Sequence, residues 1–358
     1  MAKEAESGMI VRGWQPPQKA RRIGYRWLLL FLPLLLCLLL LRPRTGSVPA
    51  AATASSVAQT QSESPPSSRL PQHVLQGLPT GEPSYRIVMQ HQRLLSGRMM
   101  LLDADHPLPG DAQLPGVFGL LKQTSGRISC RDQQAVLAAD ALHALDELFR
   151  AARLAHFNQM VVFAAARSAD QQLQLLLDSM ARLSRSMSLE TALAAARAEV
   201  EEPGCSEHQL PWCVDIRLCQ GWNTLPSSRP LTESPAGQWL LDNCWAYGFI
   251  RRYPGAAAKD SSHRPWHFRY VGKAHALLMR QLGLSLEDYL TLLHEKKTLS
   301  LLGDGGRPIA TVVCEKKCAQ ETVFTLPRHA IVEDASIDNL GYAIVSCLYE
   351  DAVDTPRP

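Results

Sequence analysis

The chain has 358 residues, and its 46% hydrophobic and 20% charged residues are typical of a folded protein with one large domain or two modest ones. Residues 1–44 contain eight Lys or Arg against two Glu, so this segment has a charge of +6. Because the whole chain has a net charge of +3, the remaining residues have a net charge of −3. This balance does not indicate a basic nucleic-acid-binding face on the folded part, and we expect no nucleic-acid partner.

An apolar run at residues 27–41, WLLLFLPLLLCLLLL, follows a basic segment at residues 1–26. It is shorter than the roughly 20 residues of a spanning helix, but residues 23–26 can extend it. The larger positive cluster precedes the run, which predicts a cytoplasmic N-terminus and a single-pass protein of the cytoplasmic membrane with an extracytoplasmic C-terminal domain. Small residues at 48–54, VPAAATA, keep open the alternative of a cleaved signal peptide and a secreted protein.

Residues 42–84 are rich in Ser, Ala, Pro, Gln and Thr and lack apolar periodicity, which predicts a disordered stalk. Folded sequence is expected from about Tyr85. The segment RMMLLDADHPLP at 98–109 predicts a strand that runs into a proline-terminated turn.

Helical and strand patterns then alternate up to residue 300. Apolar residues at three- and four-residue steps predict amphipathic helices, and short continuous apolar runs predict buried strands. The predicted elements are a helix at 132–156, a strand at 160–166, a helix capped by Ser168 and Gln171, a helix at 188–202 and a short helix at 285–293. After Leu301, short β-rich runs divided by turn residues predict a small β-rich appendage.

Nine cysteines leave several interpretations open, because their spacing fixes no pairing. Eight lie beyond the apolar run, where an exported protein could form disulfides, and small buried thiols are an equal alternative. Cys314 and Cys318 flank a Glu-Lys-Lys turn and could form a hairpin disulfide or stay free. Cys213 and Cys219 flank Asp215, which leaves a minor alternative of a redox or metal role.

His208 and Asp215 stand seven residues apart in PGCSEHQLPWCVDI (203–216), and His267 follows about fifty residues later in PWHFRYVG. Two imidazoles and a carboxylate form a donor set suited to a catalytic zinc ion. The spacing alone is a weak signal, because a structural histidine bonded near a turn produces the same pattern. His263 could be imagined as an extra ligand, but a loop histidine more often faces solvent.

Three segments occur in the order of one protein family. PGCSEHQ with VDI, WLLDNCWAYGFIRRYP (239–254) and PWHFRYVGKAHA (265–276) resemble the VanY-type D-alanyl-D-alanine carboxypeptidases, zinc enzymes that trim cell-wall stem peptides. The resemblance also includes DHPLP (105–109), the pair Arg167–Ser168 with Gln172, and SIDNLGYAIV (336–345). It covers nearly everything from about residue 95 onward.

The resemblance implies an α+β domain at residues 85–300, in which helices pack on an antiparallel sheet whose edge binds one zinc ion. A β-rich C-terminal extension at 301–358 would complete it. The implied partner is a peptidoglycan stem peptide that ends in D-Ala-D-Ala. By position in the family motifs, the zinc ligands are His208, Asp215 and His267, the residue that holds the developing negative charge is Arg167, and the cleft lining includes Ser206 and Trp266.

The family's general-base position is occupied differently here. The family has Glu-Pro-Trp-His, and that Glu accepts a proton from water, whereas this chain has Arg264. A guanidinium cannot accept a proton at neutral pH. Because general-base assistance contributes about 10²- to 10⁴-fold, we expect reduced or lost hydrolysis. Asp260 is the acidic residue nearest in sequence that could replace the base, and Glu207 adjoins a ligand but also occurs in active relatives.

Further departures affect the walls of the cleft. Pro211 replaces a family glycine, residues 164–166 replace Ser-Gly-Tyr with three alanines, and the loop at 253–267 is shorter than usual. Three functions therefore remain open. They are a protein that binds zinc or stem peptides with little or no cleavage, an active zinc carboxypeptidase with another base, and a surface scaffold that keeps only the fold.

Overall fold

The computed structural model describes residues 70–350, apart from 92–93, 113, 117, 125–127, 220–225, 228–229, 254–263 and 319. The basic segment at 1–26, the apolar run at 27–41, most of the stalk, Asp260 and His263 lie outside the described residues. Within the described part, no helix is both long enough and apolar enough to cross a membrane.

Fourteen strands and six α-helices make up the described chain. The strands are β1 (Val74–Gln76), β2 (Ser84–Gln90), β3 (Leu95–Ser96), β4 (Phe118–Leu120), β5 (Val136–Ala138), β6 (Met160–Ala164), β7 (Cys213–Leu218), β8 (Phe249–Arg251), β9 (His267–Tyr270), β10 (Thr298–Leu302), β11 (Pro308–Lys316), β12 (Glu321–Pro327), β13 (Ile331–Ile337) and β14 (Tyr342–Leu348). The helices are α1 (Ala139–Leu154), α2 (Ala169–Leu183), α3 (Leu189–Glu199), α4 (Pro235–Asn243), α5 (Lys273–Leu282) and α6 (Leu286–Lys296).

A four-stranded antiparallel sheet, in the order β6-β7-β9-β8, carries the candidate site. Its strands are buried runs rather than alternating ones, because helices and loops cover the sheet. Leu145 and Leu148 of α1 belong to the same core cluster as Val214 and Phe268 of the sheet. This α+β arrangement agrees with the predicted fold class.

A second sheet has six strands in the order β1-β10-β11-β14-β13-β3. Helices α5 and α6 pack on it, with Leu278 and Leu290 in one core cluster with Val312 and Ile344. The remaining strands form two-stranded sheets, β12 with β2 and β4 with β5. The C-terminal part is β-rich as predicted, but its strands pair with β1, β2 and β3, which precede the helical part.

The predicted helices are present, with shifted ends. The first begins at Ala139 rather than near 132, because residues 136–138 pair as β5 with β4. The capping box of α2 is confirmed: the Ser168 hydroxyl accepts from the Gln171 amide, and the Gln171 side chain accepts from the Ser168 amide. Helix α3 ends at Glu199, three residues early.

The strand predicted at 98–109 is wrong. Residues 99–102 are buried as the apolar pattern suggested, but side chains, and not a neighbouring strand, bond to the Met100 carbonyl and to both backbone groups of Leu101. The Arg269 guanidinium donates to the carbonyls of Gly97, Arg98 and Met100. The Asn339 amide brackets Leu101, accepting from its N–H at 3.0 Å and donating to its carbonyl at 2.7 Å.

The stalk prediction is also wrong at its C-terminal end. Residues 74–76 form β1, which pairs antiparallel with β10, and Val74 is buried in the core. An edge strand gains its order from backbone hydrogen bonds to its neighbour, so the composition of the segment does not reveal it.

The cysteines of the described chain are free thiols, at positions 130, 205, 213, 219, 244, 314, 318 and 347. The hairpin disulfide considered for Cys314 and Cys318 is therefore not formed. Six of these eight side chains are buried, as small apolar residues would be.

The Asn339 clamp on Leu101 gives a test of the fold. Asn339→Ala should lower the free energy of unfolding by about 1–3 kcal/mol, because it leaves a buried N–H and a buried carbonyl without partners. Urea denaturation measures this shift. The matched control is Asn158→Ala at an exposed position, which should leave the midpoint almost unchanged. Equal midpoints for the two variants would show that the Asn339–Leu101 hydrogen bonds do not stabilise the fold.

Candidate metal centre and cleft

Three predicted donor residues converge at one end of the four-stranded sheet. Asp215 on β7 is paired directly with His267, the first residue of β9. His208 lies in a 3-10 turn, Glu207–Gln209, that leads into β7. All three are buried, and the structure brings together the residues that the sequence placed in one site.

Asp215 Oδ1 is the meeting point of the two histidines. It lies 2.8 Å from His267 Nδ1 and 3.3 Å from His208 Nε2. The two imidazole rings stand edge to face with centroids 4.8 Å apart. The three donor atoms lie within 4.8 Å of one another, close enough to hold one metal ion.

The ring of His208 presents a lone pair toward Asp215. Its Nδ1 is 2.9 Å from the carbonyl oxygen of Ala165, and since a carbonyl only accepts, Nδ1 carries the hydrogen. Burial lowers the pKa of His208, which favours the neutral ring. Nε2 is then an acceptor that faces a carboxylate, and within the described residues it is buried without a hydrogen-bond partner. A cation between the two acceptors would satisfy both, so the residues fit a metal.

His267 is held between two carboxylates, with Nδ1 on Asp215 and Nε2 at 3.0 Å from Glu207 Oε2. Burial alone would lower the pKa of His267, but the hydrogen bonds to Asp215, Cys213 and Glu207 raise it well above its ordinary value. Burial would likewise raise the pKa of Asp215, but His208 and His267 hold it well below its usual range. Glu207 thereby orients the ring so that Nδ1 faces the metal position.

Glu207 is itself fixed by two buried arginines. Its Oε1 accepts from Arg252 Nε and from Arg269 Nη1, each at 2.7 Å. Although burial opposes ionisation, the two guanidinium groups bring the pKa of Glu207 well below its ordinary value. Arg252 also contacts Glu287 at the surface end of the network. The network therefore ties the 3-10 turn to β9 and to the residue after β8.

A second donor group, formed by Glu207, Cys213 and His267, also lies within metal-binding distances. It fits a metal less well, because Glu207 is already occupied by two guanidinium groups and burial raises the pKa of the Cys213 thiol. The metal role considered for Cys213 is therefore weaker than that of the first set. Cys219 belongs to neither donor group among the described residues.

A cavity of about 230 Å³ opens beside the donor residues. Its lining includes His208, His267, Glu201, Tyr253 and Arg264. The Tyr253 ring stacks on His267 at a centroid distance of 5.8 Å, which closes one side of the site.

Arg167 follows β6 and lies beside the donor set. Its backbone N–H donates to the His208 carbonyl at 2.7 Å, and its guanidinium donates to Gln172 Oε1 at 3.0 Å. Burial, with a contribution from Arg264, lowers the pKa of Arg167. The two guanidinium groups are thus close enough to influence each other.

Arg264 does not contact Asp215 or the histidines through any hydrogen bond or ion pair in the described chain. Its Nη2 lies 2.7 Å from Glu201 Oε1 and 3.4 Å from the carbonyl oxygen of Glu199. The position thus carries an ion pair rather than a free cation.

Ser206 and Trp266 were expected in the cleft lining. Ser206 is fully buried, and its hydroxyl has no hydrogen-bond partner in the described part of the chain. Trp266 packs its ring against the Arg217 guanidinium at 3.8 Å. Their role in the cleft stays a prediction.

Sequence reasoning missed Glu201, Tyr253, Arg252 and Arg269. The available signal for the last was its position inside HFRY, where all four residues of a short strand are buried and a charge requires a partner. No local pattern marks Glu201, because it is one of several acidic residues after α3.

The Glu207 network gives a stability test. Glu207→Gln should lower the free energy of unfolding by about 3–5 kcal/mol, because it leaves the buried Arg269 without a counter-charge and leaves Arg252 only its ion pair with Glu287. The denaturation midpoint in urea measures this. Glu202→Gln is the matched control, since it removes an exposed ion pair with Arg197 and should cost at most about 1 kcal/mol. A Glu207→Gln protein as stable as the control would refute the role of the network.

Comparison with known proteins finds a family that is similar to the part of the chain that carries the site. Residues 134–273 match the family model described as VanY: D-alanyl-D-alanine carboxypeptidase, and this range contains all three donor residues. The D-alanyl-D-alanine carboxypeptidase of Enterococcus faecium is 24% identical over 239 residues, which are 66% of this chain and 71% of that protein. That of Enterococcus faecalis is 36% identical over 150 residues, which are 41% of this chain and 52% of that protein.

Among solved structures, the vancomycin resistance D,D-dipeptidase VanXYg, crystallised with a D-Ala-D-Ala phosphinate analogue, superposes with a TM-score of 0.57. The sequence identity is 20%, and the match covers 74% of this chain and 99% of that one, so it shows a shared fold. The α+β fold with antiparallel sheets thus resembles that of this D,D-dipeptidase. Residues 134–273 are therefore similar to the VanY family of D-alanyl-D-alanine carboxypeptidases.

Proposed function

We propose that this chain binds one zinc ion and peptidoglycan stem peptides that end in D-Ala-D-Ala, and that it hydrolyses them slowly. The observation that carries the proposal is the convergence of His208 Nε2, Asp215 Oδ1 and His267 Nδ1, with the first of these buried and unpartnered. When bound, zinc acts as a Lewis acid on a substrate carbonyl and promotes the attack of water. The family match and the names of the relatives support the choice of peptide.

Arg167 is proposed to hold negative charge on the substrate. It is placed by its own backbone bond to His208 and by the buried Gln172 side chain, so its guanidinium is pre-positioned beside the donor set. A planar guanidinium suits a carboxylate or a developing oxyanion, because it donates several hydrogen bonds in one plane.

Slow hydrolysis is proposed because Arg264 stands where a general base is expected. A guanidinium cannot take a proton from water at neutral pH. The ion pair with Glu201 is consistent with this interpretation, since it neutralises the cation without returning a carboxylate to position 264. An active peptidase that uses another carboxylate is the second candidate, and the acidic lining of the cavity favours it over a scaffold without a site.

We further propose that residues 27–41 anchor the chain in the cytoplasmic membrane with the peptidase-like domain outside, or that a signal peptidase removes this segment and releases the domain. The apolar run and the basic residues before it support export. Cell fractionation and the mass of the mature N-terminus distinguish the two, and an unprocessed chain in the soluble cytoplasm would contradict both.

Zinc binding is tested by metal analysis. Full-length protein dialysed against metal-free buffer should retain one zinc per chain, and His208→Ala should bind zinc at least about 10²-fold more weakly, because a ligand matters at least as much as the groups that orient it. The control is His143→Ala on the exposed face of α1. Zinc retention unaffected by His208→Ala would reject the donor set.

The role of position 264 is tested by D-alanine release from a pentapeptide ending in D-Ala-D-Ala. The unaltered protein should release little, and Arg264→Glu should raise the rate by about 10²-fold or more. Arg264→Gln controls for the loss of the cation, since it removes the charge without adding a base. Brisk turnover by the unaltered protein, with no gain in Arg264→Glu, would contradict the proposal.

A further inference from the structure

We propose that Glu201 is the proton-accepting carboxylate of this cleft, and that the hydrolysis which the chain retains depends on it. The inference rests on the proposed function, since it requires a peptide in the cavity. In this step the oxygen of a water molecule bonds to the carbonyl carbon of the terminal peptide bond, and its proton passes to Glu201. The C–N bond then breaks, and Glu201 returns the proton to the leaving nitrogen, so that D-alanine departs as an amine.

The position of Glu201 is the first support. It lies on the extended segment after α3 and lines the cavity that His208 and His267 also line. One carboxylate oxygen, Oε1, is paired with Arg264 at 2.7 Å. The other, Oε2, is buried and has no hydrogen-bond partner among the described residues. Such an oxygen is costly to leave without a partner, and a water molecule or substrate group in the cavity would satisfy it.

The backbone of Glu201 is held by the same side chain that holds Arg167. Gln172 is fully buried, and its amide donates to the Glu201 carbonyl at 2.7 Å while its oxygen accepts from the Arg167 guanidinium. The acid and the arginine are therefore fixed relative to each other through one amide group. Proton transfer requires such fixed geometry, because a base must stand within hydrogen-bond reach of the proton.

The other acidic residues near the cavity are already engaged. Asp103 caps its own turn by accepting from two backbone amides and from the His106 ring. Glu207 is bound by two arginines and His267. Among the acids that line the cavity in the described part of the chain, Glu201 is the one with an oxygen that lacks a partner.

The two acidic residues near Glu201 in sequence form exposed ion pairs with other arginines. Glu199 pairs with Arg182, and Glu202 pairs with Arg197 at 2.7 Å, both on the exposed side of α2 and α3. Arg264 cannot accept a proton, but it can hold a carboxylate. Position 264 has no carboxylate, but Glu201 on the segment after α3 places one beside Arg264 through their ion pair.

The test uses the zinc-supplemented full-length protein and long incubations with the pentapeptide. Glu201→Gln should lower the rate of D-alanine release by about 10²-fold, while Glu202→Gln should stay within about twofold of the unaltered protein. Zinc content after dialysis, and the affinity for the peptide measured by calorimetry, should be the same in all three proteins. Formate should restore part of the rate to Glu201→Ala, whose shorter side chain leaves room for a small carboxylate, but not to Glu201→Gln.

Each other outcome is decisive. If the unaltered protein turns over and Glu201→Gln matches it, another group accepts the proton and the inference is overturned. If zinc and peptide bind without any turnover, the inference fails while the proposed binding function stands. If neither zinc nor peptide binds, the proposed function fails as well, and the inference fails with it.

Discussion

The arrangement of the site depends on the hydrogen bonds that the buried carboxylate of Glu207 accepts. This carboxylate accepts from Arg252, Arg269 and His267, so one residue joins the 3-10 turn before β7 to β9 and to the end of β8. Arg269 extends the same network to three carbonyls of the segment 97–100. Charges buried this deeply are stable only in pairs, so the network also restricts how the chain can fold around the site.

The orientation of both histidines follows from this framework. His208 is fixed by the Ala165 carbonyl and His267 by Glu207, so each ring directs its other nitrogen at Asp215. The site is therefore pre-formed by backbone and charge contacts. In the cleft beside it, Arg264 and Glu201 line one small cavity as an ion pair, and both influence the pKa of Arg167.

Several features could be predicted from the sequence because their causes are local. The helices, the capping box at Ser168 and the buried strand at 160–164 follow from short-range periodicity and capping chemistry. The donor set followed from residue type, spacing and family resemblance together. The absence of a strand at 98–109 and the presence of β1 could not be predicted, because the partners of those backbone groups come from residues about 170 to 240 positions away in the chain. Glu201 was missed for the same reason, since only the fold sets it against Arg264.

The central claim is that three donor atoms at the end of the four-stranded sheet hold one zinc ion. Anomalous diffraction at the zinc absorption edge from crystals of the full-length protein tests it most directly. The account predicts a single zinc peak bonded at about 2.0–2.2 Å to His208 Nε2, Asp215 Oδ1 and His267 Nδ1. A peak centred on Cys213 and Glu207, or no peak from crystals grown with zinc, would contradict it.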